Sequence, residues 1–245
     1  MLFGADYYPE HWEEERWEID AALMKDAGFN VVRIAEFAWC RLEKEDGVFN
    51  FEWLDKVIEI LSKHGIKVLL GTPAAAMPRW LHQKYPEVLA SDYEGKRYSY
   101  GGRRYYCPNS KAYRYYVERI VTKLAERYGN NPNVVGWQID NEVNGENSMC
   151  YCEICEQEFK NWLLRKYQTI ENLNKEWGLI FWSHELNSFN DVFIPRKSVS
   201  AHNPSLMLDY KRFMSESFID FVNFQADILR KHINKSQIIT HNFMG

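Results

Sequence analysis

Val134-Val135-Gly136-Trp137-Gln138-Ile139-Asp140-Asn141-Glu142 decides how the rest of the chain is read. An apolar, β-branched run leads into an Asn-Glu pair. Asn130-Asn131-Pro132-Asn133 comes just before it, a turn cluster able to end a helix. The stretch therefore predicts a buried parallel strand whose last residue is the acid Glu142. In a barrel of parallel strands, catalytic side chains come from the C-terminal strand ends. Glu142 is accordingly the leading candidate for a general acid/base.

Working outward, the flanking sequence alternates apolar runs with helical periodicity. Leu2 to Tyr8 predicts a first strand. Glu13 to Ala27 predicts a helix with Trp17, Ile19, Leu23 and Met24 as its apolar positions, stopped by Gly28. Asn30 to Ile34 follows as strand two. Phe51 to His64 is a second helix, with Leu54, Val57, Ile58 and Leu61 at helical spacing. Ile66 to Leu70 is strand three. This β-α-β-α-β order with short links implies a parallel sheet with right-handed crossovers. Thr72 to Ser110 is too long for an ordinary connection, and loops of that length are usually functional. Lys111 to Tyr128 predicts a third helix with Tyr116, Val117, Ile120, Val121 and Leu124 inward. Beyond Glu142 come helices at Glu153 to Tyr167 and Ser205 to Lys231, then strand five at Gln237 to Thr240. The expected fold is α/β: a (β/α)8 TIM barrel represented by roughly its first five β/α units, as one incomplete catalytic domain over residues 1–245. Three further strands are expected outside the chain.

Composition narrows the function classes. With 46% apolar and 26% charged residues, the chain is expected to be soluble and globular rather than disordered. A net charge of -4 without a Lys/Arg run argues against a nucleic-acid partner. No stretch approaches the length of a membrane span, and Met1 to Asp6 lacks the pattern of a signal peptide. A cytoplasmic location is expected, where disulfides rarely persist. Nine Trp and fifteen Tyr offer faces that can pack on the C–H faces of a sugar, although most such rings serve the core.

Glycoside hydrolysis needs two carboxyl groups flanking the bond. Glu142 suits the proton-donating role, because a carboxyl group in a pocket can be kept protonated near neutrality by burial and a neighbouring carboxylate. Asn141 offers an amide that can hydrogen-bond a ring hydroxyl. An Asn-Glu pair alone is weak; its place after a buried strand strengthens it. Longer motifs extend the case: Phe3-Gly4-Ala5-Asp6-Tyr7-Tyr8-Pro9-Glu10-His11-Trp12, Arg33-Ile34-Ala35-Glu36-Phe37-Ala38-Trp39 and Arg103-Arg104-Tyr105-Tyr106-Cys107-Pro108-Asn109-Ser110. Gly136 to Glu142, Phe181-Trp182-Ser183, Asn203-Pro204-Ser205-Leu206 and Thr240-His241-Asn242-Phe243-Met244-Gly245 complete them. Through these the whole chain resembles the N-terminal part of a glycoside hydrolase family 42 β-galactosidase.

The resemblance implies a retaining β-galactosidase in which Glu142 is the proton donor, Arg103 and Asn141 bind substrate, and Trp182 lines the sugar site. The substrate implied is a terminal β-D-galactoside, with the similarly shaped α-L-arabinopyranosides as relatives. The family's nucleophile is a second Glu on a later strand, expected beyond residue 245, and neither Glu36 nor Glu10 matches it. Glu36 reads instead as a partner of Arg33. His11, His64 and His241 read as structural or surface residues.

Four cysteines form a pattern. Cys150, Cys152 and Cys155 share one short loop, and Cys107 lies in the long loop after strand three. Loops after neighbouring strands meet in a barrel, so four thiolates can converge as a closed structural zinc site requires. Free thiols, or redox chemistry at Cys152-x-x-Cys155, are the alternatives; no thioredoxin-like context favours the latter. The resemblance to zinc-bearing family members favours zinc, structural rather than catalytic. Cys40 is expected to be a buried thiol. Two competing readings remain: a catalytically inactive sugar-binding fragment needing a complementing chain, and a zinc-binding interaction module. An unclosed sheet has unpaired strand edges, so self-association into a homo-oligomer is expected.

Overall fold

A computed structural model describes residues 1–243. Four strands, β1 (Val31–Ile34), β4 (Lys67–Gly71), β5 (Val134–Gln138) and β6 (Ile238–Thr240), form one parallel sheet in chain order. The short strands β2 (Glu43–Glu45) and β3 (Val48–Phe49) pair separately as an antiparallel hairpin. The helices are α1 (Glu14–Asp26), α2 (Trp39–Leu42), α3 (Glu52–Lys63), α4 (Arg79–Lys84), α5 (Lys111–Tyr128), α6 (Glu153–Tyr167), α7 (Ile170–Trp177) and α8 (Pro204–His232). Parallel strands adjacent in chain order with helical crossovers are the first part of a (β/α)8 barrel.

The expected first strand survives only in part. Asp6 bridges Arg33 in parallel, Tyr7 N donates to Arg33 O at 2.8 Å, and Arg33 N donates to Ala5 O at 3.0 Å. Leu2 and Phe3 are exposed, and the segment lies on the outer side of β1 with a single ladder.

Helix α1 corrects a second expectation. Trp17 and Ala21 face inward, and Trp17 Nε1 donates to Pro9 O at 2.8 Å. Ile19 and Leu23 are more than half exposed, because among the described residues no helix covers that face of α1. Helices α3 and α5 behave as their spacing requires: Leu54, Val57, Ile58 and Leu61, and Tyr116, Val117, Ile120, Val121 and Leu124, are all buried. Asn203 caps α8, accepting from Ser205 N at 2.8 Å and Leu206 N at 3.2 Å, with Pro204 at the first helical position. Cys40 is exposed, not buried: on the short α2, Trp39 and Leu42 turn inward and Cys40 turns away.

One glycine is fixed by close packing beneath the barrel mouth. A Cβ on Gly71, the last residue of β4, would lie 2.5 Å from Glu36 Cβ and 2.7 Å from Glu36 N. The end of β4 and the turn after β1 therefore touch backbone to backbone. Among the described residues, no helix is long and apolar enough to cross a membrane.

Candidate active site

Strand β5 ends at Gln138, so Glu142 is not its last residue. Ile139 N still donates to Thr240 O at 2.9 Å, but Asp140 turns the chain with φ 51° and Glu142 follows with φ 47°. The acid therefore sits on a loop just past the C-terminal end of the strand. Left-handed backbone at non-glycine residues is strained and survives only where surroundings enforce it. Here the enforcement is visible. Asp140 N donates to Thr72 Oγ1 at 2.7 Å, whose hydroxyl donates to Gln225 Oε1 at 2.7 Å. Tyr106 Oη donates to Asp140 Oδ2 at 3.1 Å, and Asn141 N donates to Asp140 Oδ1 at 2.6 Å. Asp140 is fully buried, and burial pushes its carboxyl up to about 6 against these hydrogen bonds.

Asn242, just after β6, grips the same loop from the other side. Its Oδ1 accepts from Glu142 N at 3.2 Å, and its Nδ2 donates to Asn141 Oδ1 at 2.9 Å. His241 Nδ1 donates to Ile139 O at 2.6 Å, and its Nε2 accepts from Val143 N at 3.3 Å. An imidazole that donates from one nitrogen and accepts at the other is neutral. Burial pushes its pKa down, in the same direction. His241 is thus a structural residue, as expected. His64 meets Glu18 at 2.7 Å at the surface, away from Glu142. Of the last matching motif, Met244 and Gly245 lie outside the described residues.

Three of the four expected carbohydrate-site residues come together. Arg103 Nη2 donates to Glu142 Oε2 at 2.8 Å, and Asn141 adjoins Glu142 in the chain. Arg103 also stands 5.8 Å over the Phe37 ring. Beside them opens a cleft of about 820 Å³ lined by His11, Phe37, Tyr98, Tyr105 and Glu146, among others. Trp182 is the exception. It is 63% exposed and stacks on Phe181 at 4.7 Å between ring centroids, with no contact to Glu142 or Arg103; of the four, Arg103 alone lines the cleft.

Arg104, Glu146, Asp140 and Asn242 were not singled out from sequence. Arg104, Asp140 and Asn242 stand inside quoted motifs; nothing in the local pattern marks Glu146. Arg104 is 3% exposed and holds φ 57°. Its Nη2 lies 3.6 Å from Glu142 Oε2 and also pairs with Glu146 Oε2. Gly145 permits this approach, since a Cβ there would lie 2.4 Å from Arg104 Nη1. Glu36 is buried and paired with Arg33 at 2.8 Å, the partnership expected for it.

The cysteines converge. The sulfurs of Cys107, Cys150, Cys152 and Cys155 all lie within 4.8 Å of one another, and all four residues are buried. Cys107 Sγ lies 3.5 Å from Cys155 Sγ and 3.6 Å from Cys152 Sγ. A tetrahedral zinc with Zn–S near 2.3 Å needs sulfur–sulfur edges of about 3.8 Å, so the cluster fits such an ion. Hydrogen bonds from the other three sulfurs hold Cys152 well below the ordinary thiol range. Contacts with Cys150, Cys152 and Cys155, together with burial, push Cys107 up.

With this geometry in view, the comparisons with known proteins are decisive. A β-galactosidase family model, glycoside hydrolase family 42, matches residues 6–245. The chain belongs to glycoside hydrolase family 42. A β-galactosidase of Thermus thermophilus is 49% identical over 245 residues, covering 100% of this chain and 38% of its own length. The β-galactosidase BgaA of Clostridium cellulovorans is 47% identical over 242 residues, covering 99% and 36%. The crystal structure of a β-galactosidase from Marinomonas ef1 superposes with a TM-score of 0.97 at 42% identity, over 100% of this chain and 37% of that one. This family 42 chain therefore spans less than two fifths of the length of the curated relatives it matches.

Proposed function

We propose that this chain supplies the general acid/base of a retaining β-galactosidase. Glu142 gives its proton to the glycosidic oxygen of a terminal β-D-galactoside. A second carboxylate, which the family pattern puts beyond residue 245, takes the sugar as a covalent glycosyl-enzyme. Glu142 then removes a proton from the incoming water and is restored. Arg103 and Asn141 hold hydroxyls of the sugar: Arg103 lines the cleft and reaches Glu142, and Asn141 immediately precedes Glu142 in the chain. Trp182 stays in the proposal through the resemblance alone.

The observation that carries this reading is the 2.8 Å contact between Arg103 Nη2 and Glu142 Oε2 at the C-terminal end of the sheet, beside an open cleft. Glu142 is held on both sides, by Asn242 on its backbone amide and by Arg103 on its carboxylate. Cys107, Cys150, Cys152 and Cys155 are the residues that would hold zinc. Bound there, zinc supplies a cross-link between two loops, with no open position for water.

The test is Glu142→Gln in the protein expressed from the complete natural reading frame that carries this chain. Hydrolysis of lactose should fall by about 10²–10⁴-fold, the usual share of a general acid/base. Unchanged turnover would overturn the assignment. The 245-residue chain itself, holding one member of the carboxylate pair, should give little or no turnover of a chromogenic β-galactoside.

A further inference from the structure

The direction in which Glu142 leaves the backbone is set two residues earlier. Asp140 holds φ 51° and Glu142 φ 47°, left-handed backbone that a side chain disfavours. Asp140 is fully buried, and both polar groups of its backbone are engaged. Its N donates to Thr72 Oγ1 at 2.7 Å, and its O accepts from Gln138 Nε2 at 3.1 Å. Thr72 directly follows β4 and is fixed by the sheet, since its N donates to Gln138 O at 2.8 Å. Its hydroxyl has one proton, which goes to Gln225 Oε1 at 2.7 Å. That leaves an oxygen lone pair for Asp140 N. Gln225 is a fully buried amide in α8, beside the buried Phe221, Ala226, Ile228 and Leu229. An amide on an apolar helix face is costly; here its carbonyl sets which way the Thr72 hydroxyl points.

We propose that Thr72, oriented by Gln225, is a positioning residue that holds the turn aiming Glu142 at the glycosidic oxygen. This rests on the reading of Glu142 as proton donor. Thr72 and Gln225 are fully buried and neither lines the cleft, so neither touches a sugar there. Their effect passes through Asp140. Without the Thr72 hydroxyl, Asp140 N has no partner, and the left-handed turn loses one of the contacts that enforce it. The others remain: Tyr106 and Asn141 N on the Asp140 carboxylate, Gln138 on its carbonyl, and Asn242 on Glu142 N. The loop therefore shifts rather than collapses. Proton delivery, which depends on the line from Glu142 to the oxygen, suffers first.

The test compares two leaving groups in the product of the complete reading frame. Lactose needs its leaving oxygen protonated, whereas 2,4-dinitrophenyl β-galactoside releases a phenolate unaided. Thr72→Val keeps the shape and removes the hydroxyl; Thr72→Ser keeps the hydroxyl. Thr72→Val should lower kcat/KM for lactose by about 10–10²-fold, the scale of a misplacement of about 1 Å, and that for the dinitrophenyl galactoside by less than about threefold. Thr72→Ser should recover most of the loss. Gln225→Met, which leaves the hydroxyl in place but frees its proton, should show the same selective loss at smaller size, and it decides the question if Thr72→Val does not fold. An equal loss on the two galactosides, or no loss, overturns the inference, as does a Thr72→Ser no better than Thr72→Val. Glu142→Gln on the same pair tests the reading beneath it. An equal loss there sinks the proton-donor reading; a selective loss there beside an equal loss in Thr72→Val sinks this inference alone.

Discussion

The same two loops, after β4 and after β5, build two clusters of opposite character. At the mouth, Arg103, Arg104, Glu142 and Glu146 form a charged, half-open group, and Arg104, Asp140, Glu142 and Asn144 all hold positive φ. A few residues further along each loop, the four cysteines form a buried group, none of them with positive φ. Strained backbone costs on the order of 1–3 kcal/mol per residue and persists only where its surroundings over-determine it. The difference teaches a division of labour. The sulfur cluster joins the loops where they are closed from water, and the mouth holds its awkward geometry because its two sides cannot drift apart.

Removing a thiolate is the strongest way to break that comparison. Cys155→Ser should abolish stoichiometric zinc, read by elemental analysis. It should also lower unfolding stability by more than about 5 kcal/mol, since structural zinc sites in peptides bind with roughly 10–16 kcal/mol. It further removes the 3.5 Å contact that Asn109 Nδ2 makes to Cys155 Sγ. If the zinc is lost and the urea midpoint stays put, the two clusters are independent and the division of labour is wrong.

On the mouth side the expected sign is reversed, and a substitution should stabilise. Both carboxyl oxygens of Glu10, next to the cleft residue His11, are buried without a hydrogen-bond partner. Burial pushes this carboxyl up from 4.5 to about 7; its own backbone N–H, too poorly aligned to count as a hydrogen bond, and Arg41 oppose the rise, and the Glu36 charge adds to it. The unfolded chain thus gives up this proton more readily than the folded one. Below about pH 4.5 the group costs nothing; as pH rises through 7, stability is lost. Glu10→Gln should therefore gain up to about 3 kcal/mol at pH 8 and nothing at pH 4. Urea unfolding at the two pH values measures it, and an equal effect at both would remove the mouth's electrostatic burden from the argument.

The two clusters also differ in how far sequence betrayed them. Three cysteines within six residues, plus one in the neighbouring loop, are visible at a glance, because metal-ligand spacing is local. The parallel sheet and helices α3 and α5 followed from apolar periodicity, which burial on one face imposes. The mouth was half legible. Glu142 and Asn141 stood at a strand end, and Arg103 came from family resemblance. Glu146 and Asn242 owe their places to contacts made across loops, which no spacing rule encodes. The strand boundary at Gln138 was misjudged because Ile139 continues the apolar pattern while Asp140 has already turned. Ile19 and Leu23 are apolar at helical spacing and so read as inward, yet both are more than half exposed, because among the described residues no helix packs on that face of α1. Cys40 was misplaced because a helix as short as α2 has too few turns to reveal which side is buried.

The smallest test asks how local the sulfur cluster is. Ser110 links Cys107 to α5: its N donates to Cys107 O at 3.1 Å, and its Oγ accepts from Tyr113 N at 3.3 Å as the helix N-cap. Ser110→Ala deletes the cap and leaves the backbone link. It should cost about 1 kcal/mol in urea unfolding, the usual value of such a cap, with zinc content unchanged. The cap holds the start of a helix, and the four sulfurs are the proposed zinc ligands, so the two losses should separate. Loss of zinc in Ser110→Ala would mean that Cys107 is positioned through α5, and the closed cluster would then depend on the barrel wall rather than on the two loops alone.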